Sequence, residues 1–399
     1  MPMRETLLNE LLSQPTAPYR ERLVVHRILA ALKEGGVPHF SDPVGNIIVG
    51  AASKAEYRKL VSKKADEPLR IFMAHMDHPG FHGVRWNSPA DLEVKWHGGA
   101  PTHFLENCRV WLTNGKEWKG QGRISKFTLN AAGTSIDTAQ IRLNEDKEIE
   151  NRRERIEAGD LYGAFDFRAP VWREGELIYT RAADDIVGCF AIVSVALDLW
   201  SEKKKRGKFP FLGLLTRAEE VGFIGAIGHL ELGWLKKARR SLVFVSLETS
   251  RTLPGAEIGK GPVVRLGDRF TVFDATSLRV FADVAEKVLP GSHQKRVMDG
   301  GTCEASAATV FGHRAMGISI PLGNYHNQGF QGGPDASSPA GDMAGPAPEF
   351  VHLQDVSGMI TLCHGLLQPK LSWADPWKTK KQAFRKNLRA ARPLLRSGP

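Results

Sequence analysis

The chain has 399 residues, of which 42% are hydrophobic and 25% charged, and its formal net charge at pH 7 is +10. This length allows one large domain or two ordinary ones, and the composition excludes a disordered or fibrous protein. The N-terminal segment lacks the apolar core of a secretory signal, so we expect a cytoplasmic protein without a membrane partner.

The four cysteines, Cys108, Cys189, Cys303 and Cys363, are far apart and form no CxxC pair. They predict neither a disulfide framework nor a thiolate metal site, and a reducing compartment is the expectation.

The positive charge is concentrated at the C-terminus. Residues 370–399 contain nine Lys or Arg and one acid, Asp375, so they carry eight of the ten net positive charges. The rest of the chain is close to neutral, and we expect no nucleic-acid-binding surface on the folded body. Three alternatives stay open for the tail: it packs as a helix on the body or on a neighbour, it stays solvated, or it binds a polyanion.

The first part of the chain alternates helices with apolar strands. Periodicity predicts helices over 3–14 and 19–34, and the turn at 42–46 leads into a strand at 47–49. A further strand at 69–74 runs into His-Met-Asp-His-Pro-Gly. This order is that of a mixed α/β sheet.

The region after residue 80 changes character. Short alternating segments surround Asn114-Gly115, a strong hairpin-turn signal, and Trp118 falls among the strands that follow. Helical spacing is scarce except in the charged segment 145–157. We predict a small, all-β, barrel-like domain at 80–170, inserted into a catalytic domain formed by 1–79 and 171–399, with 370–399 as its basic tail.

The α/β pattern then resumes as far as the tail. Residues 203–208 form a basic loop, and the remaining segments are predicted strands at 176–180, 209–215, 241–247 and 316–321, with helices following Asp185 and at 277–288 and 356–367. The predicted fold class is therefore α/β, a mixed-sheet α/β/α domain with an all-β insertion.

Carboxylate and imidazole side chains recur where these strands end. They are His75 and Asp77, Asp184 and Asp185, Glu219 and Glu220, Glu248, and His326. Nitrogen and oxygen donors without thiolate suit a hydrolytic zinc, cobalt or manganese site. There are more carboxylates than one ion requires, which indicates two ions.

Each pair taken alone has an ordinary structural interpretation. Glu219 and Glu220 also suit the acidic first turn of a helix. His75 with Asp77 also suits a structural histidine, because residues i and i+2 of a strand point the same way and the carboxylate can fix the ring tautomer. The order and spacing of all the pairs together favour the metal site.

Several motifs resemble those of the glutamyl and tetrahedral aminopeptidases, a family of cytoplasmic di-metal peptidases. The resemblance covers nearly the whole chain and rests on DPVGN, AHMDHPGF, RVWLTNGKEWKGQG with AGDLYGAFDF, AADDIVG, TRAEEVGFIGA and NYHN. It implies a di-zinc peptidase fold with an inserted β-barrel that mediates dimers or a dodecamer.

The resemblance also implies roles for the candidate residues. Asp184 would bridge two divalent ions, most commonly zinc. His75 and Glu248 would complete one ion, and Glu220 and His326 the other. Glu219 would be the general acid and base, assisted by Asp77, and Asp185 would support the ligands after a cis peptide bond.

The chain departs from the family pattern at three places. His78 stands where an acid is usual, Glu248 where Asp is usual, and Thr302-Cys303-Glu304 in place of Thr-Asp. Glu248 keeps the ligand charge. We expect His78 to face solvent, and the alternatives are a position behind the metal ligands and their supporting residues or one that faces the substrate.

The predicted activity is hydrolysis of the N-terminal peptide bond of short peptides through a water held between two metals, with Glu219 as the general base. The alternatives are a di-metal deacylase of N-acyl amino acids and a non-catalytic relative. A long insertion before Asp184 favours the peptidase, and no predicted ligand is missing.

Overall fold

A computed structural model describes residues 4–116, 119–144, 156–201 and 209–396. The predicted basic loop at 203–208, Trp118, and all but the end of the predicted helix at 145–157 lie outside these residues. Residues 156 and 157 are not helical.

The strands of the described residues are numbered here in chain order. They are β1 (His39–Ser41), β2 (Ile47–Val49), β3 (Leu69–His75), β4 (Gly80–Ser88), β5 (Asp91–His97), β6 (Arg109–Thr113), β7 (Lys119–Leu129), β8 (Ile136–Leu143), β9 (Tyr162–Phe165), β10 (Val171–Glu174), β11 (Leu177–Thr180), β12 (Phe211–Thr216), β13 (Leu242–Arg251), β14 (Val263–Asp268), β15 (Gln294–Met298), β16 (Arg314–Leu322) and β17 (Glu349–His352).

The helices of the same residues are numbered likewise. They are α1 (Glu5–Leu12), α2 (Arg22–Glu34), α3 (Lys54–Ser62), α4 (Ile186–Ser201), α5 (Ile224–Glu231), α6 (Ala275–Val288), α7 (Glu304–Val310), α8 (Leu353–Leu366) and α9 (Lys378–Arg396). None of them is long and apolar enough to cross a bilayer.

A mixed eight-stranded sheet forms the centre of the molecule, in the order β1-β2-β12-β3-β13-β16-β14-β15. The four strands β12, β3, β13 and β16 are adjacent and parallel. β3 and β12 are buried along their whole length, which explains their continuous apolar sequences.

Helices cover both faces of this sheet. One apolar core joins it to α1, α2, α4, α6 and α8, and a second core on the other face joins it to α3, α5 and α7. The predicted α/β/α class is thereby confirmed. A separate three-stranded sheet, β10-β11-β17, brings the segment before α8 next to the segment before α4.

The strands β4-β5-β8-β7-β6-β9 close into a barrel with an apolar core of its own. The antiparallel pairing of β6 with β7 confirms the hairpin predicted from Asn114-Gly115, and Gly115 takes a positive φ of 69° at its turn. The barrel strands run from Gly80 to Phe165, within the predicted insertion.

Candidate metal centre

The candidate side chains converge on one edge of the central sheet. His75 ends β3, Glu219 and Glu220 follow β12, Glu248 lies in β13, and His326 follows β16. Because these four strands are parallel neighbours, their carboxyl ends open on the same side. Open α/β sheets bind their ligands at this edge.

Asp184 lies between the two histidines and presents one carboxylate oxygen to each. Its Oδ1 is 3.4 Å from Nε2 of His75, and its Oδ2 is 3.5 Å from Nε2 of His326. The same His326 nitrogen is 3.2 Å from Oε2 of Glu220. Asp184 is therefore shared by two groups of donors.

The described residues contain three sets of side chains whose donor atoms, within each set, lie within 4.8 Å of one another. Two of them share Asp184, and each also contains one histidine and one glutamate. The sets are His75, Asp184 and Glu248; Asp184, Glu220 and His326; and His75, Glu219 and Glu220. The first two coincide with the ligand sets that the resemblance implied.

Asp77 holds the loop that carries the paired glutamates. Its two carboxylate oxygens accept the backbone N–H groups of Glu219 at 3.0 Å and Glu220 at 3.1 Å. Nδ1 of His75 lies 3.1 Å from the backbone carbonyl oxygen of Asp77 and 3.6 Å from Oδ1. The shorter contact of the ring is thus with the Asp77 backbone, whereas the sequence predicted its carboxylate.

The predicted turn at 42–46 holds both ends of the same loop. Asn46 accepts the N–H of Arg217 on Oδ1 at 3.2 Å and donates from Nδ2 to the carbonyl of Gly225 at 3.0 Å. Asp42 orients Asn46 by accepting its backbone N–H at 3.0 Å. A Cβ at Gly225 would lie 2.5 Å from Asn46 Oδ1, so this approach requires glycine.

His326 lies in a strained stretch of backbone, with φ of 54°, between Asn324 and Asn327, which also have positive φ. Glu349 stabilises it by accepting the His326 N–H on Oε1 at 2.8 Å. The other oxygen of Glu349 accepts the N–H of Asp184 at 3.1 Å. One buried carboxylate therefore fixes the backbone of two candidate ligands.

Glu349 is the main residue that the sequence did not reveal. It is fully buried at the start of β17, far along the chain from His326. Its only sequence signal is an acid that opens the apolar strand Glu-Phe-Val-His.

The expectation that His78 faces solvent is wrong. The side chain is 1% exposed, with Nδ1 2.8 Å from the carbonyl oxygen of Asp184 and Nε2 3.2 Å from Oδ1 of Asn327. His78 lies behind the site because the chain turns inward after β3. It therefore packs against the ligand segments and does not face a substrate.

Asp185 is also behind the ligands. The Asp184–Asp185 peptide bond is cis, as the resemblance implied. The buried carboxylate of Asp185 accepts the N–H of Gly188 at 3.1 Å, at the start of α4. A Cβ at Gly188 would lie 2.3 Å from Asp185 Oδ2, so the first turn of the helix has room only for glycine there.

The departure at 302–304 places another acid in the interior. Glu304 begins α7 and is fully buried. Burial raises the pKa of Glu304 to about 7, although the nearby His75 opposes the shift. Cys303 is also buried, and burial raises its pKa far above the usual range of a thiol.

The electrostatics are those of a crowded set of buried acids. Burial raises the pKa of Glu248 to about 8, and burial with the charges of Glu248 and Glu220 raises the pKa of Glu219 well above its usual value. Burial alone would lower the pKa of His75, but Glu219 and Asp184 raise it well above normal. Such a cluster requires compensating positive charge.

Divalent cations fit this arrangement on its chemistry. The donors are imidazole nitrogens and carboxylate oxygens, as zinc, cobalt and manganese require. Glu220 Oε1 is buried and has no hydrogen-bond partner among the described residues, so it can accept a cation. The residues present therefore fit a pair of metal ions.

An α/β/α domain with imidazole and carboxylate groups at the ends of its central strands, and a β-barrel inserted after the first of those strands, is the architecture of a tetrahedral aminopeptidase. The chain belongs to the M42 glutamyl aminopeptidase family, whose model matches residues 58–330. It is accordingly a metallo-aminopeptidase, a hydrolase of peptide bonds that uses divalent metal ions.

Solved structures share this fold at low sequence identity. The TET1 peptidase of Pyrococcus horikoshii has a TM-score of 0.68 and 20% identity, over 92% of this chain and 99% of that one. A TET aminopeptidase from a marine sediment Thaumarchaeota archaeon has a TM-score of 0.69 and 18% identity, over 92% and 97%. An aminopeptidase from Desulfurococcus kamchatkensis has a TM-score of 0.68 and 20% identity, over 92% and 95%. No curated protein matches the chain significantly.

Proposed function

We propose that the chain releases N-terminal residues from short peptides at a centre of two divalent ions, with Glu219 as the general base. The observation that carries this proposal is the position of Asp184, whose two oxygens face the two histidines at 3.4 and 3.5 Å. One ion would be held by His75, Asp184 and Glu248, and the other by Asp184, Glu220 and His326. Zinc is the preferred ion for this donor set, with cobalt or manganese as substitutes.

When bound, such ions polarise the scissile carbonyl and lower the pKa of water toward neutrality. Glu219 accepts the proton of the attacking water on its carboxylate and returns it to the leaving amine. Its Oε2 lies 3.8 Å from Nε2 of His75, at the side of the donor cluster. Asp77 orients it through the backbone N–H of Glu219.

A small cavity lies next to Glu248. Its lining includes Ser250, Thr302, Tyr325 and the buried guanidinium of Arg265. Nη1 of Arg265 donates to Ser250 Oγ at 3.1 Å, which holds the cation at the cavity wall. The cavity volume of about 20 Å³ holds about one water molecule and no peptide side chain.

The assembly is proposed by analogy with a solved structure of the same fold. The structure of the Pyrococcus horikoshii peptidase is described as a tetrahedron or a large octahedral shell. We propose that this chain also forms a homo-oligomer, a dimer or a dodecamer, through the predicted inserted domain at 80–170, and that it acts in the cytoplasm.

The test is Glu219→Gln, which keeps the size of the side chain and removes its basicity. We expect the bound metal to be retained and turnover of an aminoacyl p-nitroanilide to fall at least about a hundredfold, the range of general-base catalysis. Glu231→Gln is the matched control, because Glu231 is exposed on α5. Near-normal turnover with Glu219→Gln would exclude the proposed role.

The deacylase alternative is separated by substrate. Leu-, Glu- and Lys-p-nitroanilides should be hydrolysed, and N-acetyl amino acids should not. Preference for the N-acetyl amino acids would reassign the reaction while leaving the same residues in place.

A further inference from the structure

Helix α9 projects from the body as a surface of its own. It spans Lys378–Arg396, and every side chain from Lys378 to Leu395 is exposed. The segment before it is anchored, because Trp373 is buried and packs against the guanidinium of Arg70, 5.6 Å from its ring centroid. The helix therefore has a fixed origin and an uncovered length of roughly 28 Å at 1.5 Å per residue.

One side of α9 is apolar. Phe384, Leu388, Ala391 and Leu395 are spaced four, three and four residues apart, so they share one face of the helix. Phe384 is 67% exposed, Leu388 50% and Leu395 70%. Trp377, seven residues before Phe384, extends the same face at the start of the helix and is 39% exposed.

The other side of α9 is strongly basic. The helix contains eight Lys or Arg and no acid. Lys378, Arg385, Lys386 and Arg389 point away from the apolar face. Lys380, Lys381 and Arg392 lie along its borders. Apolar and cationic side chains thus occupy two sides of one helix, and basic side chains border the apolar one.

We propose that α9 docks this enzyme onto the surface of an anionic lipid bilayer. A helix with these two halves lies in the plane of the interface, with Phe and Leu at the boundary of the acyl chains and Lys and Arg among the anionic headgroups. A bilayer satisfies both halves at once. Lys381 and Arg392 lie next to the apolar face, where long basic side chains reach the headgroups.

Other occupants satisfy only one half. A nucleic acid would neutralise the basic side and leave Phe384, Leu388 and Leu395 in water. A second copy of α9, packed through its apolar face, would bring eight positive charges against eight others with no acid between them. Charge complementarity therefore favours an anionic surface with an apolar interior.

This inference revises the expectation that the chain has no membrane partner. The sequence showed the charge of the tail, but the exposure of one continuous apolar face appears only in the folded chain.

The test uses the full chain and sedimentation with vesicles. We expect binding to vesicles of phosphatidylcholine with phosphatidylserine, at least about tenfold weaker binding to phosphatidylcholine alone, and weakening by salt. Phe384→Ser with Leu388→Ser should reduce binding at least about tenfold. Arg385→Gln with Arg389→Gln should do the same, since each basic residue near an anionic surface contributes roughly fivefold.

The matched control is Thr379→Ser with Gln382→Asn, which changes neither the charge nor the apolar face of α9 and should leave binding intact. Peptidase activity should be equal in all variants, which shows that the body is folded and keeps this test independent of the proposed function.

Three results would overturn the inference. The first is no binding to anionic vesicles. The second is vesicle binding that the Phe384 and Leu388 substitutions leave unchanged, which would indicate a polyanion site. Transfer RNA binding that exceeds vesicle binding would have the same meaning. The third is an assembly state that changes with the Phe384 and Leu388 substitutions while vesicle binding does not, which would assign the face to a second copy.

Discussion

The carboxylate of Glu349 fixes the backbone of two candidate metal ligands and is not itself one of the candidate donors. Its oxygens accept the backbone N–H groups of Ala183, Asp184 and His326, at 2.7, 3.1 and 2.8 Å. Burial raises the pKa of Glu349 to about 7, and the neighbouring His78 opposes that shift. The three N–H groups require that both oxygens of the side chain accept hydrogen bonds, and a carboxylate meets this requirement.

Glu349→Gln is therefore expected to weaken metal binding, although Glu349 is not one of the candidate donors. The amide replaces one acceptor oxygen with a donor that faces a backbone N–H, so Asp184 or His326 must shift. We expect metal affinity to fall about 10- to 100-fold, as for other residues that support ligands. Competition with a chromophoric chelator measures it. Glu257→Gln, at an exposed carboxylate, is the control; equal affinities in both variants would contradict the role.

At the scale of elements, the barrel reaches the site directly. Gly99 follows β5, and a Cβ there would lie 2.2 Å from Nδ1 of His326. Asp335, in the loop between His326 and β17, is 2.9 Å from the guanidinium of Arg109 in β6. The barrel thus borders both the histidine and the loop that follows it, so it can limit access to the centre as well as carry an interface.

Gly99→Ala tests this contact. The added methyl group would lie 2.2 Å from the imidazole of His326, so it must displace either its own loop or the ring. The ring is stacked on Tyr325, with 3.7 Å between the ring centroids. We expect kcat/KM to fall at least about tenfold, since a misplacement of about 1 Å costs up to a hundredfold. Gly159→Ala, in the 3-10 turn before β9 and with open space around it, should be neutral. Similar kinetics for the two variants would argue against a contact of consequence.

At the scale of the whole molecule, the centre concentrates acidic side chains in the interior of the body. Asp184, Asp185, Glu248, Glu304 and Glu349 are all at most 5% exposed. They come from distant parts of the chain, so folding itself brings the like charges together. Cations that bind only the folded state should then stabilise the entire catalytic domain.

Removal of metal by a chelator, followed by dialysis, should lower the melting temperature by several degrees, and added zinc should restore it. A ligand at about a hundredfold its Kd contributes about 2.7 kcal/mol to the folded state. Asp184→Asn, which disrupts both donor sets, should show a smaller response to zinc. Differential scanning calorimetry measures both proteins, and a zinc response of equal size in the two would place the stabilising ion elsewhere.

The sequence by itself determined the fold class and the identity of the candidate donors. Buried strands such as β3 and β12 are continuous apolar runs, and the donors follow them directly, so strand ends could be recognised without coordinates. The hairpin at Asn114-Gly115 was equally local. Short-range patterns of this kind depend on backbone geometry and burial alone.

Only the tertiary structure decided what lies behind and around those donors. Glu349, 23 positions after His326, contacts it because Phe350 forms a β-bridge with Gly323, which no local pattern predicts. His78 is buried because the chain folds inward against Asn327, and the apolar face of α9 is exposed because nothing in the described chain covers it. Contacts between distant segments depend on packing and cannot be recovered from the periodicity of either segment.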